Sequence, residues 1–243
     1  MAQRLRVLAP SGQQVDIGLA DGPKAGSVGT HIRFAGGSLA RGFQIGPRGY
    51  HKFAGTYVVP ASTVDRFIVH GREVVVSRQE NGAGAVATLM GDYHELMTVF
   101  GGPAPRREVV INLFSALEIE DHPEGMLVRP TSSMLLDSVL EQIVVSVAGR
   151  GTVNTMSPQQ ARSVLPVHQG QATRYGEVWR GARPGVQSPS ALTDYTYLMG
   201  FPRGFGEVHF APGAGVTDDA LLAWLDEVQV EWADAPGAAP AGK

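Results

Sequence analysis

The chain contains no cysteine among its 243 residues. This absence excludes disulfide bridges, thiolate metal sites and cysteine nucleophiles. Lysine is also scarce, since 3 Lys stand beside 17 Arg, a bias typical of a high-GC bacterial genome. A chain of this length can still bury a large apolar core without covalent cross-links. Any nucleophile or metal ligand must therefore be a histidine, a carboxylate or a hydroxyl group.

Long apolar runs are missing as well. None approaches the roughly 20 residues that a membrane-spanning helix needs. The apolar run before Pro10 is much shorter than the core of a signal peptide. We therefore expect a cytoplasmic protein with no membrane partner. Residues 234–243 are rich in Ala, Gly and Pro, which predicts a disordered tail.

The standard catalytic motifs are also absent from the sequence. It has no phosphate-binding loop of the Gly-x-x-x-x-Gly-Lys-Ser/Thr type, no Gly-x-Ser-x-Gly nucleophile elbow and no His-Glu-x-x-His zinc motif. It also has no Gly-x-Gly-x-x-Gly segment between a strand and a helix. We expect no cofactor, and the missing motifs favour a protein that is not an enzyme without deciding the question.

Charge is divided unevenly along the chain. Residues 1–60 hold seven Lys or Arg against Asp16 and Asp21, a net of +5, whereas residues 61–243 have a net of −8. This division favours contact between the basic segment and the acidic remainder of the same chain or of a neighbouring subunit, as an exchanged arm in a homo-oligomer. Nucleic acid is an unlikely partner, because the basic residues are dispersed and the rest of the chain is acidic.

Short β-branched runs separated by Gly and Pro predict an α+β protein made mainly of antiparallel sheet with a few short helices. His70-Gly71 predicts a tight hairpin turn, and four or five strands from residue 64 onward predict a meander. The strands predicted before residue 112 are Arg4–Leu8, Gln14–Ile17, His31–Phe34, Phe43–Ile45, Thr56–Val59, Val64–Val69, Arg72–Arg78, Ala85–Met90, Tyr93–Phe100 and Glu108–Ile111.

The later part of the chain mixes helix and strand signals. Ser157 followed by Pro158 and Gln160 has the form of a capping box, and Thr217 precedes two acids, so each predicts a helix start. The remaining predictions are helical turns at Asn112–Leu117, a hairpin of Glu118–Asp121 with Met126–Arg129, a helix over Ser133–Glu141, a strand at Ile143–Val147, a helix from Ser157 to about Leu165 and a strand at Val228–Trp232.

Four landmarks recur in the same order along the chain, separated by 104, 102, 99 and 108 residues. The most specific is Asp-Tyr-x-x-Leu-Met, at Asp92–Met97 and at Asp194–Met199, and another is Glu-Val at Glu108 and Glu207. These repeats suggest two duplicated β-β-β-α-β units about a pseudo-twofold axis. The alternative is two unrelated meanders.

The predicted organisation has five parts. They are a Gly-rich basic segment or arm at 1–60, a first unit at 61–130, a connection at 131–170, a second unit at 171–233 and a tail at 234–243.

Three groups of residues could carry chemistry. His94 could act as a general base oriented by Asp92 or by a distant carboxylate, and His168 is a further catalytic candidate. Arg174 and Arg180 could clamp an anionic ligand beside His168. Glu118, Glu120 and His122 are the candidate metal ligands, although a solvated turn and no metal is the stronger interpretation. For the histidine candidates and the arginine pair, the alternative is that they are ordinary surface residues without a functional role.

The sequence therefore favours a non-enzymatic binding or assembly protein that self-associates, as a homo-oligomer or with a protein partner. The alternative is a small-molecule-binding protein or enzyme with a pocket between the two units. Nucleic-acid binding through residues 1–60 is third.

Overall fold

The computed structural model describes residues 3–36, 39–58, 60–132 and 137–233. Antiparallel strands dominate and a few short helices accompany them, as the α+β prediction requires. The described chain forms two compact units. Unit 1 contains residues 3–8, 12–28 and 142–233, and unit 2 contains residues 9–11 and the described part of 29–141.

Unit 1 combines the two ends of the described chain. In its smaller sheet the order is β1-β2-β17, all antiparallel, and its larger sheet runs β13-β14-β15-β16-β12-β11. The helices are α3 (Pro158–Ala161) and α4 (Asp218–Asp226). The strands are β1 (Gln3–Leu8), β2 (Gln14–Leu19), β11 (Ser138–Val147), β12 (Gly151–Met156), β13 (Gln171–Ala172), β14 (Glu177–Ala182), β15 (Tyr195–Phe201), β16 (Gly204–Phe210) and β17 (Gln229–Trp232).

The core of unit 1 contains a row of aromatic side chains. The ring of Tyr197 lies 4.8 Å from that of Phe210, which lies 6.1 Å from that of Trp224 on α4. The indole Nε1 of buried Trp232 donates to the Thr155 hydroxyl at 2.8 Å. This hydrogen bond satisfies a donor that would otherwise be buried without a partner.

Unit 2 packs one sheet against a helix and a hairpin. Its main sheet has the order β3-β4-β8-β7-β6-β5, and β9 pairs with β10. The helices are α1 (Tyr50–Phe53), continued by a π-helical turn at Ala54–Val58, and α2 (Arg107–Ser115). The strands are β3 (Ala25–Gly36), β4 (Leu39–Pro47), β5 (Ser62–Val69), β6 (Arg72–Arg78), β7 (Gly84–Met90), β8 (His94–Gly101), β9 (Leu117–His122) and β10 (Gly125–Pro130).

Strands β3 and β11 each have residues in both units.

In unit 2, the buried rings of Phe34, Phe43 and Phe114 form the centre of the core, with successive ring separations of 6.3 and 6.5 Å. Phe114 belongs to α2, so this helix covers one face of the sheet.

The predicted hairpin at His70-Gly71 is confirmed. β5 ends at Val69 and β6 begins at Arg72, and the two linking residues have φ angles of 50° and 78°. Two positive φ values give the backbone twist that two-residue hairpin turns require. The helix starts predicted at Ser157 and Thr217 are also confirmed, because each hydroxyl accepts a backbone N–H from the first turn.

Two segments predicted as strands are helical. The described part of Thr56–Val59 belongs to the π-helical turn, and Glu108–Ile111 lies within α2. The second error has a clear cause, since Val110 and Phe114 are both buried at a spacing of four residues, which defines a helical face. Packing against the core therefore overrides the strand preference of Val-Val-Ile.

The predicted helix over Ser133–Glu141 is wrong in its described part, because β11 already begins at Ser138. Residues 133–136 lie outside the described residues. The side chain of Glu141 accepts hydrogen bonds from the backbone N–H and the hydroxyl of Ser11. A residue far away in the sequence therefore holds this end of β11 in place. Helix α3 ends at Ala161, earlier than the predicted Leu165.

The landmarks proposed for a duplication do not occupy matching elements. Asp92–Met97 leads into β8, the last strand of its meander, whereas Asp194–Met199 leads into β15, which is followed by another strand. Glu108 lies in a helix and Glu207 lies in β16. The residue-by-residue alignment is therefore wrong, because short dipeptide matches carry little positional information.

Residues 1–60 contribute to both units: their described residues form β1 and β2 in unit 1 and β4 in unit 2. Residues 234–243, predicted as a tail, lie outside the described part. No helix in the described ranges is long and apolar enough to cross a membrane.

Replacing Thr155 with Val should destabilise unit 1 by about 1–3 kcal/mol, because the Trp232 N–H would remain buried without an acceptor. The measurement is chemical denaturation followed by tryptophan fluorescence. Thr155→Ser is the matched control, since it keeps the hydroxyl and loses only a methyl group, roughly 1 kcal/mol. Equal losses in both variants would contradict the role of this hydrogen bond.

Candidate functional site

His94 is paired with a carboxylate, but the partner is Asp121. The imidazole Nδ1 lies 2.8 Å from Asp121 Oδ1, and the Asp121 side chain has no exposed surface. Asp121 also accepts the backbone N–H groups of Tyr93 and His94. Asp92 is exposed, and its backbone carbonyl accepts from Arg48. The arrangement orients the His94 ring and joins β8 to β9.

A second imidazole and carboxylate pair begins at the next residue of β8. Glu95 is buried, with 1% of its side chain exposed, and its carboxylate accepts the backbone N–H groups of Gly49 and His51 at 2.6 and 2.8 Å. The His51 Nδ1 lies 3.0 Å from the same carboxylate. Glu95 therefore fixes the start of α1, and no sequence pattern indicated this contact.

Helix α1 and the π-helical turn carry an exposed apolar row, which we call the aromatic ridge: Phe53, Tyr57 and Val58. Their exposed fractions are 52%, 74% and 60%. The Phe53 ring lies 5.2 Å from that of Tyr57 and stacks at 6.0 Å on that of Tyr50. Large apolar side chains grouped on a surface are typical of interaction sites.

The candidate metal ligands lie on an exposed hairpin. Glu118 and Glu120 are exposed, and the nearest contact within the set is 3.7 Å, from His122 Nε2 to Glu120 Oε2. In the part of the chain that the structure describes, no group of three or more His, Asp or Glu side chains could hold a metal ion.

Two other histidines contact hydroxyl groups. On β16, His209 Nε2 lies 2.7 Å from Glu207, and His209 Nδ1 lies 3.4 Å from the Thr196 hydroxyl. His70 Nε2 lies 3.1 Å from the Ser115 hydroxyl. A hydroxyl beside an imidazole is an arrangement that can activate a nucleophile, and the first of these also has a carboxylate at the other ring nitrogen. Sequence reasoning missed both, because the hydroxyls belong to other elements, 13 and 45 residues from their imidazoles.

Unit 1 contains a half-open groove of about 660 Å³ that includes two of the predicted residues, His168 and Arg180. The groove lies among β14, residues 168–173 and α4. Its apolar lining includes Trp179, Leu222 and Leu225. Arg174 lies outside the lining and is held by Glu227 at 2.5 Å. Asp92 and His94 belong to unit 2.

Arg180 is the most distinctive polar residue of this groove. Its guanidinium lies 4.4 Å from the centre of the Tyr195 ring. Arg180 is paired with Tyr197 in the register of β14 and β15, and the Tyr197 hydroxyl donates to the backbone carbonyl of Leu192 at 3.4 Å. Burial raises the pKa of the Tyr197 hydroxyl above its ordinary value of 10.0, and the positive charge of Arg180 opposes that rise. Among the described residues, no carboxylate forms an ion pair with Arg180.

The basic residues of the first 60 positions are partly neutralised within that segment. Arg4 and Arg6 both contact Asp16, at 3.0 and 3.4 Å. The guanidinium of Arg41 lies 3.8 Å from the centre of the Phe100 ring, and burial lowers its pKa. Only part of the predicted +5 is therefore available on the surface.

Glu141 is a buried acid whose pKa is raised above its ordinary value of 4.5. Burial is the main cause, and the hydrogen bonds from Ser11 oppose it. Removing a carboxylate from water penalises its charged form, so at neutral pH this side chain weakens the folded state.

Exchanging Asp121 for Asn should destabilise the protein by about 1.5–3 kcal/mol. The Asp121 carboxylate accepts from three donors, and in Asn an NH₂ group, which cannot accept, would replace one of its two oxygens. Asp92→Asn makes the same chemical change at an exposed position and should stay within about 0.5 kcal/mol of the wild type. Urea denaturation measures both. A larger loss for the Asp92 variant would refute the pairing of His94 with Asp121.

Exchanging Glu141 for Gln should change how stability depends on pH. Because its folded pKa is raised, Glu141 contributes stability that is complete below pH 4.5 and is lost as the pH rises through the folded pKa. The variant should therefore gain stability relative to the wild type over that interval, by about 1.4 kcal/mol for each unit of pKa elevation. The check is the difference in unfolding free energy between the two proteins at several pH values; a constant difference would disprove it.

The chain was compared with known proteins at three levels. No protein-family model, curated protein or solved structure matches it.

Proposed function

We propose that this is a non-enzymatic binding and assembly protein that self-associates, with the aromatic ridge as its contact surface. The observation that carries the proposal is the exposure of Phe53, Tyr57 and Val58, each more than half exposed, on one short segment. Transferring such side chains from water to an interface is favourable by roughly 25 cal/mol per Å² of apolar area. Aromatic side chains are also enriched at protein interfaces.

The ridge is held in place before any partner arrives. Glu95 binds the backbone at the start of α1 through two N–H groups, and the buried Ala54 packs with Val86 and Met97 of the sheet. Tyr50 occupies the space that a side chain at residue 46 would fill, since a Cβ on Gly46 would lie 2.5 Å from its ring. A segment that is already ordered loses little conformational freedom on binding.

Charge favours a contact between two different faces of the molecule. Arg48 and Lys52, next to the ridge, are exposed, and exposed Glu118, Glu120 and Glu124 belong to the β9–β10 hairpin. A basic ridge that meets the acidic hairpin of a second copy without the reciprocal contact gives a heterologous interface. Such an interface generates rings or filaments rather than a symmetric dimer.

We also infer that the two units share an origin by duplication, with a different alignment from the one that the sequence suggested. Each contains a hairpin, a short helix, a four-stranded meander and a longer helix in that order, followed by β17 in unit 1 and by the β9–β10 hairpin in unit 2. The sheet orders β5-β6-β7-β8-β4-β3 and β13-β14-β15-β16-β12-β11 correspond strand for strand. The alternative of two unrelated meanders would require the same order to arise twice.

The double variant Phe53→Ser with Tyr57→Ser should reduce self-association. Sedimentation velocity over a wide concentration range measures the mass distribution, and we expect larger species in the wild type that become smaller in the variant. Raising the salt concentration should also shorten the wild-type assemblies, because it screens contacts between Arg48 or Lys52 and the acids of a second copy.

The matched control is Val109→Ser with Val167→Ser, which removes two exposed apolar side chains elsewhere. It should assemble like the wild type. Circular dichroism checks that both double variants remain folded. A wild-type protein that is monomeric at every concentration, or equal losses in both double variants, would overturn the proposal.

A further inference from the structure

We propose that the groove of unit 1 binds a small monocarboxylic acid, with the carboxylate on Arg180 and the apolar body against Leu222 and Leu225. The groove has a volume of about 660 Å³, within the range of sites for small organic ligands. This inference is independent of self-association, because every residue that lines the groove belongs to unit 1 and the aromatic ridge belongs to unit 2.

Arg180 supplies the charge that such a ligand needs. The Tyr195 ring, 4.4 Å away, holds the guanidinium on one side, while no described carboxylate neutralises it. Arg174 offers a contrast, because its guanidinium forms an ion pair with Glu227 and lies over the ring of Tyr175. A planar guanidinium with free donors matches the two oxygens of a carboxylate.

The walls of the groove select an apolar body. Leu222 on α4 is 44% exposed although it is a leucine, and Leu192, Val178 and Trp179 extend the apolar lining. The Trp179 indole donates to the backbone carbonyl of His168 at 2.8 Å, which fixes its ring beside residues 168–173. An aromatic or branched aliphatic group would cover these side chains and remove them from water.

Asp226 limits the charge of the ligand. This residue lines the groove, and its carboxylate accepts the backbone N–H of Arg174 at 3.0 Å. A second negative charge on a ligand would be repelled by this carboxylate. The groove should therefore prefer a monocarboxylate to a phosphate monoester of the same size.

The test uses phenylacetate with the full-length protein, measured by isothermal titration calorimetry and by saturation-transfer NMR. Phenylacetate should bind more tightly than phenylacetamide, which has the same shape without the charge, and more tightly than phenyl phosphate. Arg180→Gln should weaken phenylacetate binding by roughly tenfold or more, as expected for the loss of a charged hydrogen-bonding partner.

Arg162→Gln is the matched control: it removes the same charge from an exposed position of unit 1 that does not line the groove, and it should bind phenylacetate like the wild type. Leu222→Asp should weaken binding, and circular dichroism checks that this variant, at a residue that is 44% exposed, remains folded. Equal affinity for phenylacetate and phenylacetamide, equal effects of the two arginine variants, or no binding of phenylacetate would each overturn the proposal.

Discussion

The pairing of β2 with β17 is the constraint on which unit 1 depends. Val15 lies opposite Trp232, more than two hundred residues later in the chain, and the Trp232 indole then reaches Thr155 in the core. Closing a loop of this length costs entropy before any contact compensates for it. The smaller sheet of unit 1 therefore needs both ends of the described chain, and we expect it to form late relative to the local meanders of either unit.

Two imidazole–carboxylate pairs organise unit 2. Two adjacent residues of β8, His94 and Glu95, take part in imidazole and carboxylate pairs. Successive strand residues point to opposite faces of a sheet, so the pairs anchor different segments. One pair connects β8 to Asp121 on β9, and the other fixes the start of α1. The exposed aromatic ridge thus depends on a carboxylate that is itself buried, which combines a rigid support with an apolar surface.

Local chemistry explains what the sequence could predict. The turn at His70-Gly71 and the capping hydroxyls of Ser157 and Thr217 involve only residues that are neighbours in the sequence. They can therefore be predicted without knowledge of the fold. The helical turns predicted at Asn112–Leu117 overlap the end of α2, but the helix at Glu108–Ile111 could not be predicted, because it depends on the burial of Val110 and Phe114 by the sheet. Likewise, Asp92 is nearer to His94 in sequence, whereas Asp121 becomes its partner only through the position of β9.

The same distinction applies to charge. A net of +5 over residues 1–60 suggested a basic arm, but Arg4 and Arg6 flank Asp16 on the neighbouring strand, and Arg41 lies over Phe100. What a partner meets is the exposed and unneutralised part of that charge, which includes Arg48 and Lys52 next to the ridge. Summed segment charge therefore overstates electrostatic attraction wherever strand pairing brings opposite charges together, and the apolar ridge must supply most of the binding free energy in the proposed assembly.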